Sequence, residues 1–273
     1  MTAGAGLCDM HVHTSDSPDA DIAAWELVRR GIQKNMAAIG FVAHLDLDPA
    51  DPCYDSFDRE EYDYSIGRAR HESAGRLEVM KGLEVGEPHR FQEEALRRVD
   101  YGEYDFIVGA LHSVEGTGMV LGEEAFGERE PLEVIEGYYA ETLVMLQRAD
   151  MDVLAHLGLF RRGMAIAGLD TSLDETEIWP ETMREILQTL IDRGISLELN
   201  TSGLRRKESI TYPTPEILGL YRGMGGTLVT LGSDSHRDPH VFFGLAQGRE
   251  LLKEKGFDRA FIYRGRQPVE FPI

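Results

Sequence analysis

The chain has 273 residues, 42% of them apolar and 28% charged, which suits one large α/β domain with a sizeable core and argues against wholesale disorder. A formal net charge of −20 argues against a nucleic-acid backbone as partner, because phosphate-backbone binding needs a basic footprint. No apolar run approaches the ~20 residues of a membrane helix, Met1–Leu7 lacks a basic stretch leading into a long apolar one, and Cys8 and Cys53 alone make no disulfide framework or thiolate zinc cluster. A reduced, cytoplasmic protein is expected. Most of its negative charge serves solubility, and a smaller part is free to balance divalent cations.

In chain order, short apolar, β-branched runs alternate with segments of helical periodicity. Strands are predicted near Leu7–His13, Ala38–His44, Leu77–Val85, Phe106–His112, Asp152–His156, Ile195–Asn200, Thr227–Asp234 and Arg259–Tyr263. Helices are predicted between them at Ala23–Asn35, Arg59–Ser73, Arg90–Val99, Pro131–Ala149, Glu181–Arg193, Pro215–Met224 and Val241–Lys255. Pro131 and Pro215 suit the first turn of a helix, Thr214 suits an N-cap, and Gly194 suits a C-cap. Asp46–Asp58 and Val114–Glu130 are polar and rich in Gly or Asp, so they read as long loops. No linker divides the chain, and one domain over residues 1–273 is expected. Seven or eight successive strand–helix units favour a TIM-like barrel over an open doubly wound sheet, which would carry a glycine-rich loop after a strand.

The position of the histidines carries the functional signal. His11, His13, His44, His112, His156 and His236 all fall at or just beyond the C-terminal end of a predicted strand. Glu84 and Asn200 end two further strands, and Asp234 ends the strand that His236 follows. In a barrel those ends converge on the face where active sites are built. His11 and His13, at i and i+2, share one face of a strand, so both imidazoles can reach one ion. For any single residue, a solvated or hydrogen-bonded histidine or a capped carboxylate is the simpler account. Seven strand ends that each deliver a nitrogen or oxygen ligand reverse this, because burying so many titratable groups without a metal is costly. In Gly232-Ser233-Asp234-Ser235-His236, Asp234 and His236 can each meet a different ion, and Asp234 can also move a proton. The all-N/O donor set suits zinc, manganese or iron. Arg161-Arg162 and Arg205-Arg206 follow ligand-bearing strand ends, and guanidinium groups favour bidentate contact with phosphate. Salt bridges to surface acids are the plain alternative for each arginine taken singly.

Asp9–Thr14, Ser17–Asp19, Phe41–His44, Gly82–Gly86, Gly109–Ser113, Asp152–Arg162, Glu198–Arg205 and Gly232–His236, taken in that order, resemble the polymerase-and-histidinol-phosphatase (PHP) superfamily, and within it the histidinol-phosphate phosphatases. The resemblance implies a distorted (β/α)7 barrel, an α/β fold, with a trinuclear centre. On the matching positions, His11, His13, Glu84 and Asp234 would hold the first ion. Glu84, as a bridge, would join His112 and His156 on the second, and Asp19, His44 and His236 would hold the third. Many relatives have histidine where this chain has Asp19, and Asp16 is an alternative ligand from the same loop. The implied cofactor is two to three divalent ions (zinc, manganese or iron), and the implied partner is a small phosphorylated substrate. A hydroxide between the first two ions would attack phosphorus, Arg161 and Arg205 would hold the phosphoryl oxygens, and Asp234 would serve the leaving alkoxide. L-histidinol phosphate is the leading substrate; another phosphometabolite or nucleotide, or a non-catalytic metal-stabilised domain, are the alternatives.

Overall fold

Each of the first seven predicted apolar runs forms a parallel strand in a computed structural model that describes residues 6–127 and 129–273. The strands are Cys8–Val12, Ala38–Phe41, Glu78–Gly86, Phe106–Ala110, Val153–Leu154, Ser196–Asn200 and Val229–Gly232, and their spatial order is their chain order. The first and last meet to close a barrel: the Asp234 amide donates to the His11 carbonyl at 2.8 Å, and the His13 amide to the Ser235 carbonyl at 2.9 Å. Closure explains why these runs are apolar throughout, since helices cover one face and the lumen the other. Cys8–Val12 is buried at every position.

The barrel is distorted at the strand ends that matter chemically. The first strand shifts register between Asp9 and Val12. The second breaks after Phe41 and resumes as the two-residue strand His44–Leu45, which pairs His44 with Glu84 on the third strand. Only Val153 and Leu154 of the fifth run hold strand geometry, and the chain leaves it through His156 at φ 24°.

The helices lie close to their predicted spans. Asp58 caps Arg59–Ser73 by accepting from the Glu61 amide, Thr214 caps Pro215–Gly223, and Gly194 ends Pro180–Arg193 in the left-handed conformation. The last helix begins at Leu245, later than periodicity suggests. The eighth predicted strand does not enter the barrel. Arg259–Arg264 instead pairs antiparallel with Gln267–Pro272. This hairpin docks against the N-terminal ends of the barrel strands, where the Tyr263 hydroxyl meets the Ser196 hydroxyl at 2.9 Å and the Asp152 carbonyl at 3.0 Å. Alternation identified a strand there but not its partner, which tertiary packing chooses. At the opposite end, Ser113–Val114 and Gly118–Met119 form a small antiparallel hairpin inside the predicted loop 114–130. Among the described residues no helix is long and apolar enough to cross a membrane.

Candidate metal centre

The third strand places Glu84 at the middle of the C-terminal face. One of its carboxylate oxygens lies 3.0 Å from His156 Nε2, 3.5 Å from His11 Nε2 and 3.7 Å from His112 Nε2. The other lies 3.2 Å from His13 Nε2 and 3.3 Å from His44 Nδ1. Four strand ends therefore aim five imidazoles at one buried carboxylate. Asp234 stands beside this group, with Oδ1 3.3 Å from His236 Nδ1, 3.8 Å from His13 Nε2 and 3.9 Å from His11 Nε2. Its φ of 52° is unusual for a residue with a side chain and is held by the barrel-closing hydrogen bond to His11. Asp19 completes the far side, 3.1 Å from His236 Nε2 and 3.6 Å from His44 Nε2. Asp16 points elsewhere, accepting from the Thr14 hydroxyl at 2.6 Å. All nine residues expected as ligands thus converge, with Asp19 rather than Asp16 from the loop.

The donor chemistry fits cations. His11 Nε2 and His13 Nε2 approach within 3.2 Å. The opposite nitrogen of His11 is engaged by Glu198 Oε1 at 2.8 Å, and that of His13 by the Ser17 hydroxyl at 3.2 Å. Both rings therefore aim Nε2 into the same space, with the opposite nitrogen held from behind, an arrangement that suits two imidazoles sharing one cation. Burial would raise the Glu84 pKa, yet His11, His112 and His13 hold it well below the usual carboxylate range. Burial likewise works against charge on His11, but Glu198 and Glu84 hold its pKa well above the ordinary value. His13, buried and next to His236 and His44, is driven down to about 3. Several of these atoms (both ring nitrogens of His44 and the second oxygen of Glu84) are buried with no hydrogen-bond partner among the described residues.

Of the groups that stand behind the ligands, sequence reading points to Asp9, as an acceptor for a ring nitrogen, and misses Glu198, Glu87 and Asp46. Glu198, inside the sixth strand, fixes His11 through Nδ1 and accepts the His156 amide at 2.8 Å. A Cβ at Gly232 would overlap its carboxylate, so this glycine makes room for Glu198 on the neighbouring strand. Glu87 accepts the amides of His112 and Ser113 at 2.6 and 2.8 Å, and burial raises its pKa to about 7. Asp9 accepts the Ser233 amide at 2.9 Å and the His11 amide at 3.3 Å, tying the first strand to the seventh. Asp46, Asp51 and Cys53 line the cavity beside His44 and His112. An acidic residue inside an apolar strand, as in Leu197-Glu198-Leu199, or two residues after a ligand, as in His44-Leu45-Asp46, was the available signal.

The family model of the PHP domain matches residues 9–202. The probable histidinol-phosphatase of Clostridium acetobutylicum is 30% identical over 230 residues, 84% of this chain and 86% of that protein. The histidinol-phosphatase of Lactococcus lactis is 25% identical over 94% of each chain. The chain belongs to the PHP family. The crystal structure of histidinol phosphate phosphatase from Lactococcus lactis, complexed with zinc, L-histidinol and phosphate, shares the fold of this PHP chain at a TM-score of 0.84 and 24% identity, over 96% of this chain and 98% of that one. A structure from Listeria monocytogenes, described as a putative histidinol phosphatase, superposes at a TM-score of 0.69 and 22% identity over 88% of this chain and 99% of that one.

The arginines of the PHP chain divide in a way their sequence does not show. Arg161, expected at the phosphate, is fully buried away from the cavity in the short helix Arg161–Ile166. It pairs with Glu175 and donates to the carbonyls of Leu173 at 2.8 Å and Thr171 at 3.2 Å. The expectation for Arg161 is corrected accordingly: the first turn of that helix directs this side chain into the core and the next one outward. Arg162 lines the cavity with Glu84, His112, His156 and Asp234. Its Nε and that of Arg206 are buried without a hydrogen-bond partner among the described residues. Burial, then the nearby Arg206, lowers the Arg162 pKa. Arg205, also expected at the phosphate, is outside the cavity lining and instead donates to the carbonyls of Ser233 and Asp234, each at 2.7 Å, and so braces the turn that presents Asp234.

Proposed function

We infer that this PHP chain is a metal-dependent phosphomonoesterase whose substrate is L-histidinol phosphate, working with two to three divalent ions. The observation that carries this reading is one cavity of about 550 Å³ lined by seven of the nine ligand residues, all but His11 and His13, together with Arg162, whose Nε is buried without a hydrogen-bond partner among the described residues. That pairing of cations and arginine suits a phosphoryl group. The relatives named for histidinol phosphate supply the leaving group. Zinc, manganese and iron all suit the donors.

His11, His13, Glu84 and Asp234 form one ligand set. Glu84 with His112 and His156 forms the second, and Asp19, His44 and His236 the third. Bound divalent ions there supply Lewis acidity toward phosphoryl oxygens and a water that ionises near neutral pH. Arg162 meets the non-bridging phosphoryl oxygens and stabilises the charge that gathers on them. Asp234 moves the proton. Burial would raise its pKa, but His11, His236, His156 and His13 hold it low. It takes the water proton and returns it to the departing alkoxide oxygen as the P–O ester bond breaks. Arg205 acts one step back, fixing the backbone of Asp234.

Phosphate release from a panel of phosphomonoesters, with elemental analysis of the same sample, tests the reading. Two to three equivalents of metal and a preference for L-histidinol phosphate are expected. Less than about one equivalent after reconstitution with zinc, manganese or iron would remove the cluster, and a preference for a nucleotide or another phosphometabolite would reassign the substrate. Arg162→Ala is expected to lower kcat/KM by roughly 10²-fold, about 2.7 kcal/mol at the transition state. Its metal content should stay at the wild-type level, and Arg162→Lys should recover only part of the loss. Unchanged kinetics in Arg162→Ala would take this arginine out of phosphate recognition.

A further inference from the structure

Among the buried carboxylates behind the ligands, Asp46 stands between histidines of two different ion sites. Its Oδ2 lies 3.0 Å from His44 Nδ1 and its Oδ1 3.6 Å from His112 Nδ1. The opposite nitrogens of the same rings face the metal ligands: His44 Nε2 is 3.6 Å from Asp19, and His112 Nε2 is 3.7 Å from Glu84; on the Nδ1 side of His44, Asp46 at 3.0 Å is nearer than Glu84 at 3.3 Å. A neutral imidazole has one lone pair, so a ring that ligates through Nε2 carries its proton on Nδ1 and needs an acceptor there. Of the carboxylates facing His112 Nδ1, Asp46 is the nearer and Asp51 lies 3.9 Å away.

Asp46 is 2% exposed, and both its oxygens are buried without an aligned hydrogen-bond partner among the described residues. An orphaned buried carboxylate is costly unless donors turn to meet it. The backbone reserves its place: a Cβ at Gly86, at the end of the third strand, would overlap Asp46 Oδ1. A fourth cation among Asp46, Asp51 and His112 would need His112 Nδ1 as a ligand, and His112 has no second lone pair to give.

We propose that Asp46 is a positioning residue shared by the second and third ion sites. By accepting the Nδ1 protons of both His112 and His44, it makes seating one ring on its ion favour seating the other. The two sites then fill together. This rests on the three-ion centre inferred above and adds a coupling that the ligand sets alone do not contain.

The zinc-loaded protein, equilibrated with rising chelator and analysed for retained zinc, tests the coupling. In the wild type, two equivalents should leave together in one steep step. Asp46→Asn keeps the side-chain shape but offers one acceptor oxygen and sets an NH2 against the other ring's N–H. In that variant the same two equivalents should leave at 10- to 100-fold lower chelator, in separate steps, with the third equivalent unmoved. ¹⁵N NMR of the zinc-loaded protein should show His44 and His112 protonated on Nδ1, and the variant should alter both rings. Gly86→Ala, which pushes the carboxylate aside without changing it, should reproduce the effect and decides the matter if Asp46→Asn does not fold. Weakening of a single equivalent, or two unchanged imidazole signals, overturns the proposal. A wild type that binds no more than one zinc overturns the three-ion reading itself, and the wild-type titration alone shows that.

Discussion

Glu84→Gln is expected to abolish activity and metal binding together while the barrel still folds. Glu84 is the carboxylate on which the imidazoles of His11, His13, His44, His112 and His156 converge, at 3.0 to 3.7 Å. Removing its charge leaves two neighbouring cations without the anion that screens them from each other, an interaction that grows steeply at short range in a buried site. A loss in kcat/KM of roughly 10³-fold or more is expected, above 4 kcal/mol at the transition state. Retained metal should fall below one equivalent by elemental analysis. The fold should survive because glutamine is nearly isosteric and the strand's backbone pairing to His44 on one side and Val108 on the other does not involve the side chain. Far-UV circular dichroism should therefore match the wild type. An active Glu84→Gln protein with normal metal content would show that the bridge lies elsewhere.

Arg161→Met should act in the opposite sense, on stability and not on chemistry. The variant leaves Glu175 buried with the Tyr139 hydroxyl, at 2.7 Å, as its remaining side-chain partner. Stranding one member of a buried ion pair typically costs 3–5 kcal/mol, roughly. In a chain of this size that lowers Tm by on the order of 10 °C. Metal content and kcat/KM of the folded protein at low temperature should stay near wild type. Adding Glu175→Gln should recover part of the loss, since no unpaired charge then remains buried. A variant with normal Tm and a 10²-fold loss of kcat/KM would return Arg161 to the phosphate.

Much of the centre was legible because barrel topology turns chain position into spatial position. A histidine or carboxylate at the end of an apolar run in a successive strand–helix series has only one face to occupy, so chain order alone gathers His11, His13, His44, Glu84, His112, His156, Asp234 and His236. Asp19 required the family resemblance, because it lies on a loop where no periodicity points. The supporting carboxylates were harder to read. Glu198 and Asp46 look like any acidic residue until the ring nitrogens they face, and the glycines that make room for them on adjacent strands, are known.

The sequence by itself determined the closed series of strands, the helix caps and the side chains offered to the C-terminal face, because hydrophobic period and strand order are properties of the chain. The tertiary structure decided everything that depends on which way one side chain turns. Arg161 and Arg162 are neighbours of the same type at the start of one helix, and about 100° of helical rotation separates them. One enters the core to meet Glu175, and the other stands in the cavity with no partner among the described residues for its Nε. The last predicted strand met the same limit: its alternation is real, but whether Arg259–Arg264 joins the barrel or pairs with Gln267–Pro272 beneath it depends on the edge that packing leaves open.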